Sequence, residues 1–461
     1  HDIGDYLSRE EKLEKISDLA SINGITAING WTTITPDAHN DWLNQRDDSF
    51  SEFIEMGNKK NKEATTLFQN YSHGLKTNRD AWTYNNSLKK LNVNIESLIN
   101  IYNRELSKIK QLSNWDFDKD VVQDSKYISW TRALKNDFLK EKPINNNVTQ
   151  HKVASYRPYT KQWLYYNPQL NELLGQFPRI FPKNESNLTI SLVGLGTPKE
   201  FSCLITNTIP DVQILANAQC FPLYLYEETS TENKADDLFS HAETNTADGQ
   251  YTRKDAISDE GLKHFQDAYP TETISKEDIF YYVYGLLHSE DYRTRYADNL
   301  TKELPRIPCV KKADDFWAFS KAGRDLAHWH LNYETVEPYK AKLDLGGKSL
   351  KQLEDKDFYV TKMKFPKKDQ KDTVVYNNSI TIREIPLEAY DYVVNGKSAL
   401  EWVMERQGVS THKDSGIVND ANDWAIETMG DARYPLDLFL RVITVSLETM
   451  KIVRSLPKLD I

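Results

Sequence analysis

Cysteine is scarce in this chain of 461 residues, which contains only Cys203, Cys220 and Cys309. None of them belongs to a C-x-x-C pair, so the sequence offers neither a disulfide framework nor the usual cysteine signature of a zinc site. Sparse and unpaired cysteines are typical of proteins from a reducing compartment. We therefore expect a cytoplasmic protein.

Long apolar runs and targeting signals are also missing. No stretch of the sequence approaches the roughly 18 apolar residues that span a bilayer, and no signal-peptide pattern opens the chain, so we expect no membrane partner. Charged residues make up 27% of the sequence and hydrophobic residues 39%, which is typical of a globular protein. The first residue is His1 rather than methionine, which indicates a fragment of a longer protein.

Catalytic motifs are absent from the sequence. It contains no P-loop, H-E-x-x-H, G-x-S-x-G or EF-hand pattern, and "LVGLGTP" at 192–198 lacks the third glycine of a dinucleotide-binding loop. On a helix, His330 and Glu334 would share a face but His328 would not, so we expect no metal site there. The Asn/Asp-Pro-Pro-aromatic tetrapeptide of adenine methyltransferases is missing too. We predict a chain without catalytic residues, metal or cofactor of its own, and therefore not an enzyme by itself.

Helical patterns occur in several parts of the chain. Apolar residues recur at spacings of three and four through 88–112, at Leu91, Ile95, Leu98, Ile99, Tyr102, Leu106 and Ile109. Ser8 and Glu11 form a capping-box pattern at the start of a first helix. The patterns also predict a helix over the basic run 59–68, one strong helix over 277–300 and a long C-terminal helix over 434–456.

Strand patterns follow the segment 141–152. They are "LTISLVGLG" (188–196), "FSCLITNTI" (201–209), "FYVTKMKF" (358–365) and "SITIR" (379–383). Together with the helices they predict an α+β fold of mixed helices and antiparallel strands with a helical C-terminus. The polar, Asn-rich segment 141–152 predicts a boundary between a largely helical region, 1–150, and a second region, 151–461.

The net charge of −10 is unevenly distributed. Residues 221–300, which include an acidic loop predicted for 227–250, contain 17 acidic and 7 basic side chains, so the remainder of the chain is neutral in sum. Within that remainder the windows 59–90 and 358–383 are basic. Lysines next to aromatic side chains are what a nucleic-acid surface needs. Exposed lysines that protect a strand edge from aggregation are an equally good explanation of the second window.

Four strings carry a resemblance to a known family: "GLKTNRDAWTYNNS" (74–87), "YRPYTKQWLYYNP" (156–168), "QCFPLYLY" (219–226) and "YGLLHSEDYRTRYADNLTKELPRIP" (284–308). In this order they resemble the C-terminal region of the Type ISP restriction-modification enzymes. The resemblance extends from about Asp2 to the end of the chain. In that family a nuclease and a helicase-like motor precede an N6-adenine DNA methyltransferase, and the target recognition domain comes last.

The resemblance implies a function and a set of partners. Region 1–150 would follow the methyltransferase core, and region 151–461 would be the target recognition domain. The chain would recognise a sequence in double-stranded DNA and direct methylation and restriction by the upstream methyltransferase and motor domains of the same polypeptide, within a monomer in the bacterial cytoplasm. S-adenosylmethionine, ATP and Mg²⁺ would belong to the parent enzyme, with no cofactor in this chain.

Candidate DNA-binding residues follow from the basic windows and the strings. Arg and Lys contact phosphates, whereas Arg, Asn, Gln and acidic side chains distinguish base edges. The candidates are Lys76, Arg79, Arg157, Lys161, Lys362, Lys364, Lys367, Lys368, Asn378 and Arg383. The polar loop that contains Thr411, His412 and Lys413 also supplies suitable side chains. For Arg79 an ion pair with Asp80 is an equally good explanation.

Two alternatives remain open at this stage. A protein-docking or scaffold domain of the same assembly would bind upstream domains without reading DNA itself. A carbohydrate-binding protein or glycosidase is the other, because the sequence contains 25 tyrosines and 10 tryptophans. The absence of a signal sequence and the sparse cysteines speak against the second alternative.

Overall fold

The computed structural model describes residues 8–18, 33–61, 63–229, 244–245 and 250–461. The chain divides into two units, His1–Asp48 and Ser49–Ile461. Lys62 of the first basic window and most of the acidic loop predicted for 227–250 lie outside the described residues.

The described residues form fourteen α-helices, and none of them is both long enough and apolar enough to cross a bilayer. The helices are α1 Arg9–Asp18, α2 Asp80–Thr83, α3 Leu88–Ile109, α4 Phe117–Asp120, α5 Arg132–Leu139, α6 Phe177–Ile180, α7 Asp259–Ala268, α8 Lys276–Leu286, α9 Glu290–Arg295, α10 Ala297–Lys302, α11 Ala313–Leu331, α12 Ala399–Arg406, α13 Ala421–Glu427 and α14 Tyr434–Arg454.

The strands are short and belong to several small sheets. They are β1 Ile54–Glu55, β2 Ser72–His73, β3 Tyr84–Asn85, β4 His151–Arg157, β5 Thr160–Tyr165, β6 Thr189–Leu192, β7 Cys203–Thr206, β8 Ile209–Pro210, β9 Gln219–Pro222, β10 Tyr224–Glu228, β11 Thr244–Asn245, β12 Tyr251–Asp255, β13 Arg306–Ile307, β14 Lys342–Asp344, β15 Val374–Val375, β16 Thr381–Arg383, β17 Val393–Val394, β18 Lys397–Ser398, β19 Val409–Thr411 and β20 Val418–Asp420.

Two four-stranded sheets, in the orders β2-β9-β6-β7 and β3-β5-β4-β8, are the largest. Three-stranded sheets form from β10-β12-β11 and β14-β16-β15, and β1-β13, β17-β18 and β19-β20 form two-stranded ribbons. Among the described strands only β4 and β8 run parallel. The predicted α+β fold with antiparallel strands is confirmed.

The first unit contains α1. The Ser8 hydroxyl accepts from the backbone N–H of Glu11 at 3.2 Å, and the Glu11 carboxylate accepts from the backbone N–H of Ser8 at 2.8 Å. This is the predicted capping box, in which each side chain satisfies a backbone donor that the first helical turn leaves free.

A smaller hydrophobic core forms around α3. All seven apolar positions predicted for this helix are buried, and they pack against Leu134 and Phe138 of α5 and against Tyr165 of β5. The Ser87 hydroxyl caps α3 by accepting from the backbone N–H of Lys90. Side chains from before and after residue 150 contribute to this core, and the division of the chain at that residue stays a prediction.

The larger core surrounds α8, α11 and α14. Helices α8 and α11 cross where Gly285 and Gly323 lie side by side. A Cβ atom at Gly323 would lie 1.8 Å from the carbonyl oxygen of Tyr281, so only glycine permits this approach. The predicted C-terminal helix is confirmed as α14, whose apolar face is buried against this core.

Two helix predictions are wrong. The helix predicted for 277–300 is divided into α8, α9 and α10, because the Ser289 hydroxyl starts a new helix by accepting from the backbone N–H of Tyr292. No helix forms in the described part of 59–68. There the side chain of Asn58 accepts from the backbone N–H groups of Lys60 and Asn61 and holds a turn instead.

The strand predicted for 358–365 is wrong as well. A 3₁₀ turn over Asp355–Phe358 leads into an irregular segment with a single β-bridge at Lys364. The backbone N–H and C=O of Val360 both bind the side-chain amide of Asn422, at 3.0 and 2.8 Å. Since one side chain satisfies both groups, a neighbouring strand is not needed to pair them.

Candidate nucleic-acid interface

A polar cleft lies where two of the family-like strings meet the β19–β20 ribbon. It has two lobes of about 620 and 500 Å³ that share Tyr156, Ser410 and Asn419 in their linings. The larger lobe is also lined by Asn78, Arg79, Ser125, Ser129, Thr411 and His412, and the smaller one by Asn86, Gln162, Lys362, Arg406 and Val409. Amides and hydroxyls therefore line this cleft together with cations, and the carboxylates of Asp80, Glu401, Glu405 and Asp414 also belong to its lining.

Side-chain amides hold the cleft together. Asn85 donates to the carbonyl oxygen of Val418 at 3.2 Å, and Asn419 accepts from the backbone N–H of Asn86 at 2.9 Å. The amide nitrogen of Asn419 donates to the side-chain oxygen of Gln162 at 3.3 Å. These bonds join the string 74–87, the strand β5 and the ribbon, which are distant in sequence.

Arg157 lies behind the cleft in a buried ion cluster. Its guanidinium contacts Asp211 at 2.8 Å and Asp80 at 3.4 Å, and it stacks 3.8 Å from the centre of the Tyr156 ring. Burial raises the pKa of Asp211 to about 7, although the neighbouring Arg157 opposes this change. The structure thus places the guanidinium of Arg157 among internal partners.

Arg79 is buried in the wall of the larger lobe, with 4% of its surface exposed. One guanidinium nitrogen donates to the hydroxyl of Thr131 at 2.6 Å, and its Nε and Nη1 have no hydrogen-bond partner among the described residues. Burial lowers the pKa of Arg79 to about 10, so the side chain still carries its charge at neutral pH. The ion pair considered between Arg79 and Asp80 does not form, since Asp80 pairs with Arg157.

Lys161 also has an internal partner. Its ammonium group lies 2.6 Å from the carboxylate of Glu334, which in turn accepts from the hydroxyl of Tyr434 at 2.7 Å. Glu334, which follows α11, thus links Lys161 of β5 to Tyr434 at the start of α14. We call Arg79, Arg157 and Lys161 the internal cations.

Lys362, Lys364, Lys367 and Lys368, which we call the lysine segment, are all exposed. None of the four has an ion-pair partner within the described ranges, and Lys362 reaches the cleft. They lie on the irregular segment after Phe358 instead of on the predicted strand. Four neighbouring cations of this kind form a surface that attracts a polyanion.

The remaining candidates lie apart from the lining of the cleft. Lys76 and Asn378 are exposed. Arg383 is half-exposed and pairs with Asp344 at 2.9 Å. The structure therefore brings Arg79 and Lys362 together at the cleft and does not bring Lys76, Asn378 or Arg383 there.

Sequence reasoning missed part of the lining, namely Asn86, Gln162, Arg406, Ser410 and Asn419. A signal was available for the last two. Alternating residues on both sides of the turn sequence "KDSG" are typical of a hairpin, which would have placed Ser410 and Asn419 on paired strands. Nothing in the sequence identified Arg406, which lies at the end of α12.

His330 and Glu334 have separate structural partners. His330 is fully buried between the hydroxyls of Tyr284, at 2.6 Å, and Thr449, at 2.9 Å, whereas Glu334 binds Lys161. In the part of the chain that the structure describes, no group of three or more His, Cys, Asp or Glu side chains is arranged to hold a metal ion.

Three solved structures are similar to this chain over its full length. A nuclease-deletion mutant of the Type ISP restriction-modification enzyme LlaGI, in complex with a DNA substrate mimic, is 35% identical with a TM-score of 0.82. The ATP-dependent Type ISP enzyme LlaBIII bound to DNA is 36% identical with a TM-score of 0.82, and the DrdV–DNA complex is 29% identical with a TM-score of 0.75. This chain spans 39%, 27% and 43% of those three chains, respectively.

No curated protein matches the sequence. The family model described as the Type ISP C-terminal specificity domain matches residues 66–438, which include every residue that we have assigned to the cleft, the internal cations and the lysine segment. By this match, which covers most of its length, and by its likeness to LlaGI and LlaBIII, the chain belongs to the Type ISP C-terminal specificity domain family.

Proposed function

We propose that this chain recognises a specific sequence in double-stranded DNA as the specificity module of a Type ISP restriction-modification enzyme. The observation that carries the proposal is the polar cleft with the exposed lysine segment beside it, in a chain that is similar to the three DNA complexes named above. A binding site for DNA combines cations for the phosphates with hydrogen-bonding side chains for the bases, and this surface has both.

The two groups of cations have different roles in this proposal. The lysine segment contacts phosphates, because its ammonium groups are exposed and no described carboxylate pairs with them. Arg157 and Lys161 hold the wall of the cleft through their internal ion pairs. Arg79 combines both roles, since Thr131 holds one of its nitrogens and two others bind no described residue.

Methylation, cleavage and translocation belong to the rest of a longer polypeptide in this proposal. The chain spans less than half of each of the three similar structures named above, which leaves room for methyltransferase, motor and nuclease domains. S-adenosylmethionine, ATP and Mg²⁺ would be bound by those domains. The recognition module would hold the enzyme in register on the duplex as one part of a monomer while the methyltransferase flips an adenine out of the stack.

A binding titration with pooled random duplexes, followed by sequencing of the bound fraction, tests the proposal. We expect binding that weakens steeply with salt and an enriched sequence motif. Wild-type protein that neither binds duplex DNA at low salt nor enriches any sequence would contradict it.

A protein-docking role is the second candidate, and exposed apolar side chains in the first unit favour it. Ile34, Trp42 and Leu43 are 45%, 61% and 71% exposed. Trp42 and Leu43 are adjacent in the chain, and contiguous exposed apolar side chains are typical of surfaces that bind other proteins. Co-purification with the upstream domains, without any affinity for duplex DNA, would favour this role over DNA recognition.

A further inference from the structure

The ribbon β19–β20 projects between the two lobes of the cleft. Val409 pairs with Asp420, Ser410 with Asn419 and Thr411 with Val418. Ser410 and Asn419 each line both lobes. The side chains of Ser410, Thr411, His412, Lys413 and Asp414 are exposed. The ribbon therefore presents a run of polar side chains at the middle of the cleft.

The base of the ribbon is fixed to the rest of the domain. Val409 donates its backbone N–H to the carbonyl oxygen of Thr361 at 2.9 Å, and the hydroxyl of Tyr359 donates to Asp420 at 2.9 Å. The amide bonds of Asn419 hold the second strand. A two-stranded ribbon by itself is marginally stable, so these bonds give it one orientation.

The tip of the ribbon is held by its own hydrogen bonds. The backbone N–H of His412 donates to the carbonyl oxygen of Ile417 at 2.9 Å, and the backbone N–H of Gly416 donates to the carbonyl oxygen of His412 at 2.8 Å. Gly416 has a positive φ of 70°, which glycine adopts without strain. The backbone N–H of Ser415 donates to the Nδ1 atom of His412 at 3.2 Å. The tip is thus formed before any ligand arrives.

That last bond determines what His412 can offer to a ligand. A backbone N–H is always a donor, so Nδ1 is the acceptor and the neutral imidazole carries its proton on Nε2. His412 therefore presents an N–H donor from Nε2, and Lys413 beside it presents three more donors. Guanine shows two acceptors, N7 and O6, in the major groove, which is about 12 Å wide and admits a two-stranded ribbon.

We propose that the ribbon 409–420 enters the major groove of the bound duplex and that His412 and Lys413 at its tip read a guanine. The inference rests on the proposed function, because it assumes that the cleft binds DNA. It names the element that distinguishes one sequence from another, whereas the lysine segment, with its cations on phosphates, contributes affinity without sequence preference.

The test is a sequence selection from pooled random duplexes with the full chain and with the double variant H412A/K413A. The matched control is K321A/H328A, which removes an exposed lysine and an exposed histidine from α11. We expect the wild type and the control to enrich the same motif. We expect H412A/K413A to lose about ten- to hundredfold of its discrimination at one G·C pair, measured as the ratio of its affinities for the selected duplex and for the duplex with that pair changed.

The outcomes separate the inference from the function on which it rests. If the wild type enriches a motif and H412A/K413A retains full discrimination at every position, the ribbon does not read guanine and only this inference is overturned. If the wild type binds no duplex and enriches no sequence, the proposed function fails and the inference fails with it. Because the substituted side chains are exposed, we expect both variants to unfold at the same temperature as the wild type. A thermal unfolding experiment with this result confirms that they are folded.

Discussion

The internal cations and the lysine segment carry the same kind of charge in the same domain but have opposite surroundings. Arg157 is enclosed by Asp80, Asp211 and the Tyr156 ring, whereas Lys362 is exposed at the edge of the cleft without a counter-ion among the described residues. Arg157 and Lys161 are bound to carboxylates of the domain and stabilise its fold, whereas an unpaired exposed cation is available to phosphates. Charge alone therefore does not identify a DNA contact; the partner of the charge does.

The largest expected effect is on folding, from the variant R157M. Removing the guanidinium leaves Asp211, which is 1% exposed, without its partner. Loss of one member of a buried ion pair costs about 3–5 kcal/mol. Urea unfolding should therefore give a free energy of unfolding that is lower by about this amount. An unchanged free energy of unfolding would contradict the structural role of Arg157.

Replacing all four residues of the lysine segment with alanine should show the opposite behaviour. We expect no change in the free energy of unfolding beyond about 0.5 kcal/mol, because the side chains are exposed and pair with no described carboxylate. Binding to duplex DNA should weaken by about ten- to hundredfold, or roughly 1.4–2.7 kcal/mol. The slope of log affinity against log salt concentration should also fall by about one for each lysine that had neutralised a phosphate.

A matched set of alanine variants controls for net charge in that experiment. These four lysines are between 73% and 93% exposed and lie elsewhere in the domain: Lys263, Lys321, Lys451 and Lys458. Equal loss of affinity in both sets would mean that total charge, rather than the lysine segment, governs binding.

The ion cluster should also respond to pH through Asp211. Its folded-state pKa is raised to about 7 from an ordinary value near 3.8, so the folded protein binds more protons than the unfolded chain between those values. The contribution of Asp211 to the free energy of unfolding should therefore fall as pH rises from about 4 to 7, by up to about 1.4 kcal/mol per pH unit, and level off above that range.

The difference between the wild type and D211N isolates this contribution from that of other carboxylates. Chemical unfolding of both proteins across the same pH range gives the difference directly. We expect the free energy of unfolding of the wild type, minus that of D211N, to fall as pH rises. If this difference increased with pH instead, Arg157 would hold the pKa of Asp211 low and burial would be the weaker influence.

The smallest expected effect is for R383A. Arg383 and Asp344 are 44% and 47% exposed, and exposed ion pairs contribute about 0–1 kcal/mol. The free energy of unfolding of R383A should therefore differ little from that of the wild type. Arg383 is not among the residues that line the cleft, so we also expect the affinity of R383A for duplex DNA to stay close to that of the wild type. A loss of affinity as large as that of the lysine segment would place Arg383 in the interface.

Sequence patterns were most informative where the spacing of residues along a single helix determines the structure. The seven apolar positions of α3 and the capping box of α1 were predicted correctly because the spacing of residues along a helix determines which of them share a face. The strand predicted for 358–365 failed because Asn422 satisfies the backbone of Val360 from 62 positions away. The break in the helix predicted for 277–300 was missed because Ser289 lies within an otherwise continuous helical pattern.

The candidate site divides in the same way. The lysine segment was found from composition, since four lysines stand close together in the sequence. The internal partners of Arg157 and Lys161 were not found, because Asp211 and Glu334 lie 54 and 173 positions away. The residues that contact the ribbon are even more distant in sequence, since Asn85 donates to the carbonyl oxygen of Val418 across 333 positions.

The amino-acid sequence alone determined the α+β class, the faces of the long helices and, through four strings, the family of the chain. Local periodicity and residue identity carry that information because each depends only on neighbours along the chain. Only the tertiary structure decided which cations are internal, which face the cleft, and that the ribbon 409–420 stands at its centre. Burial and ion pairing depend on residues that folding brings together from distant parts of the chain, and no local pattern records them.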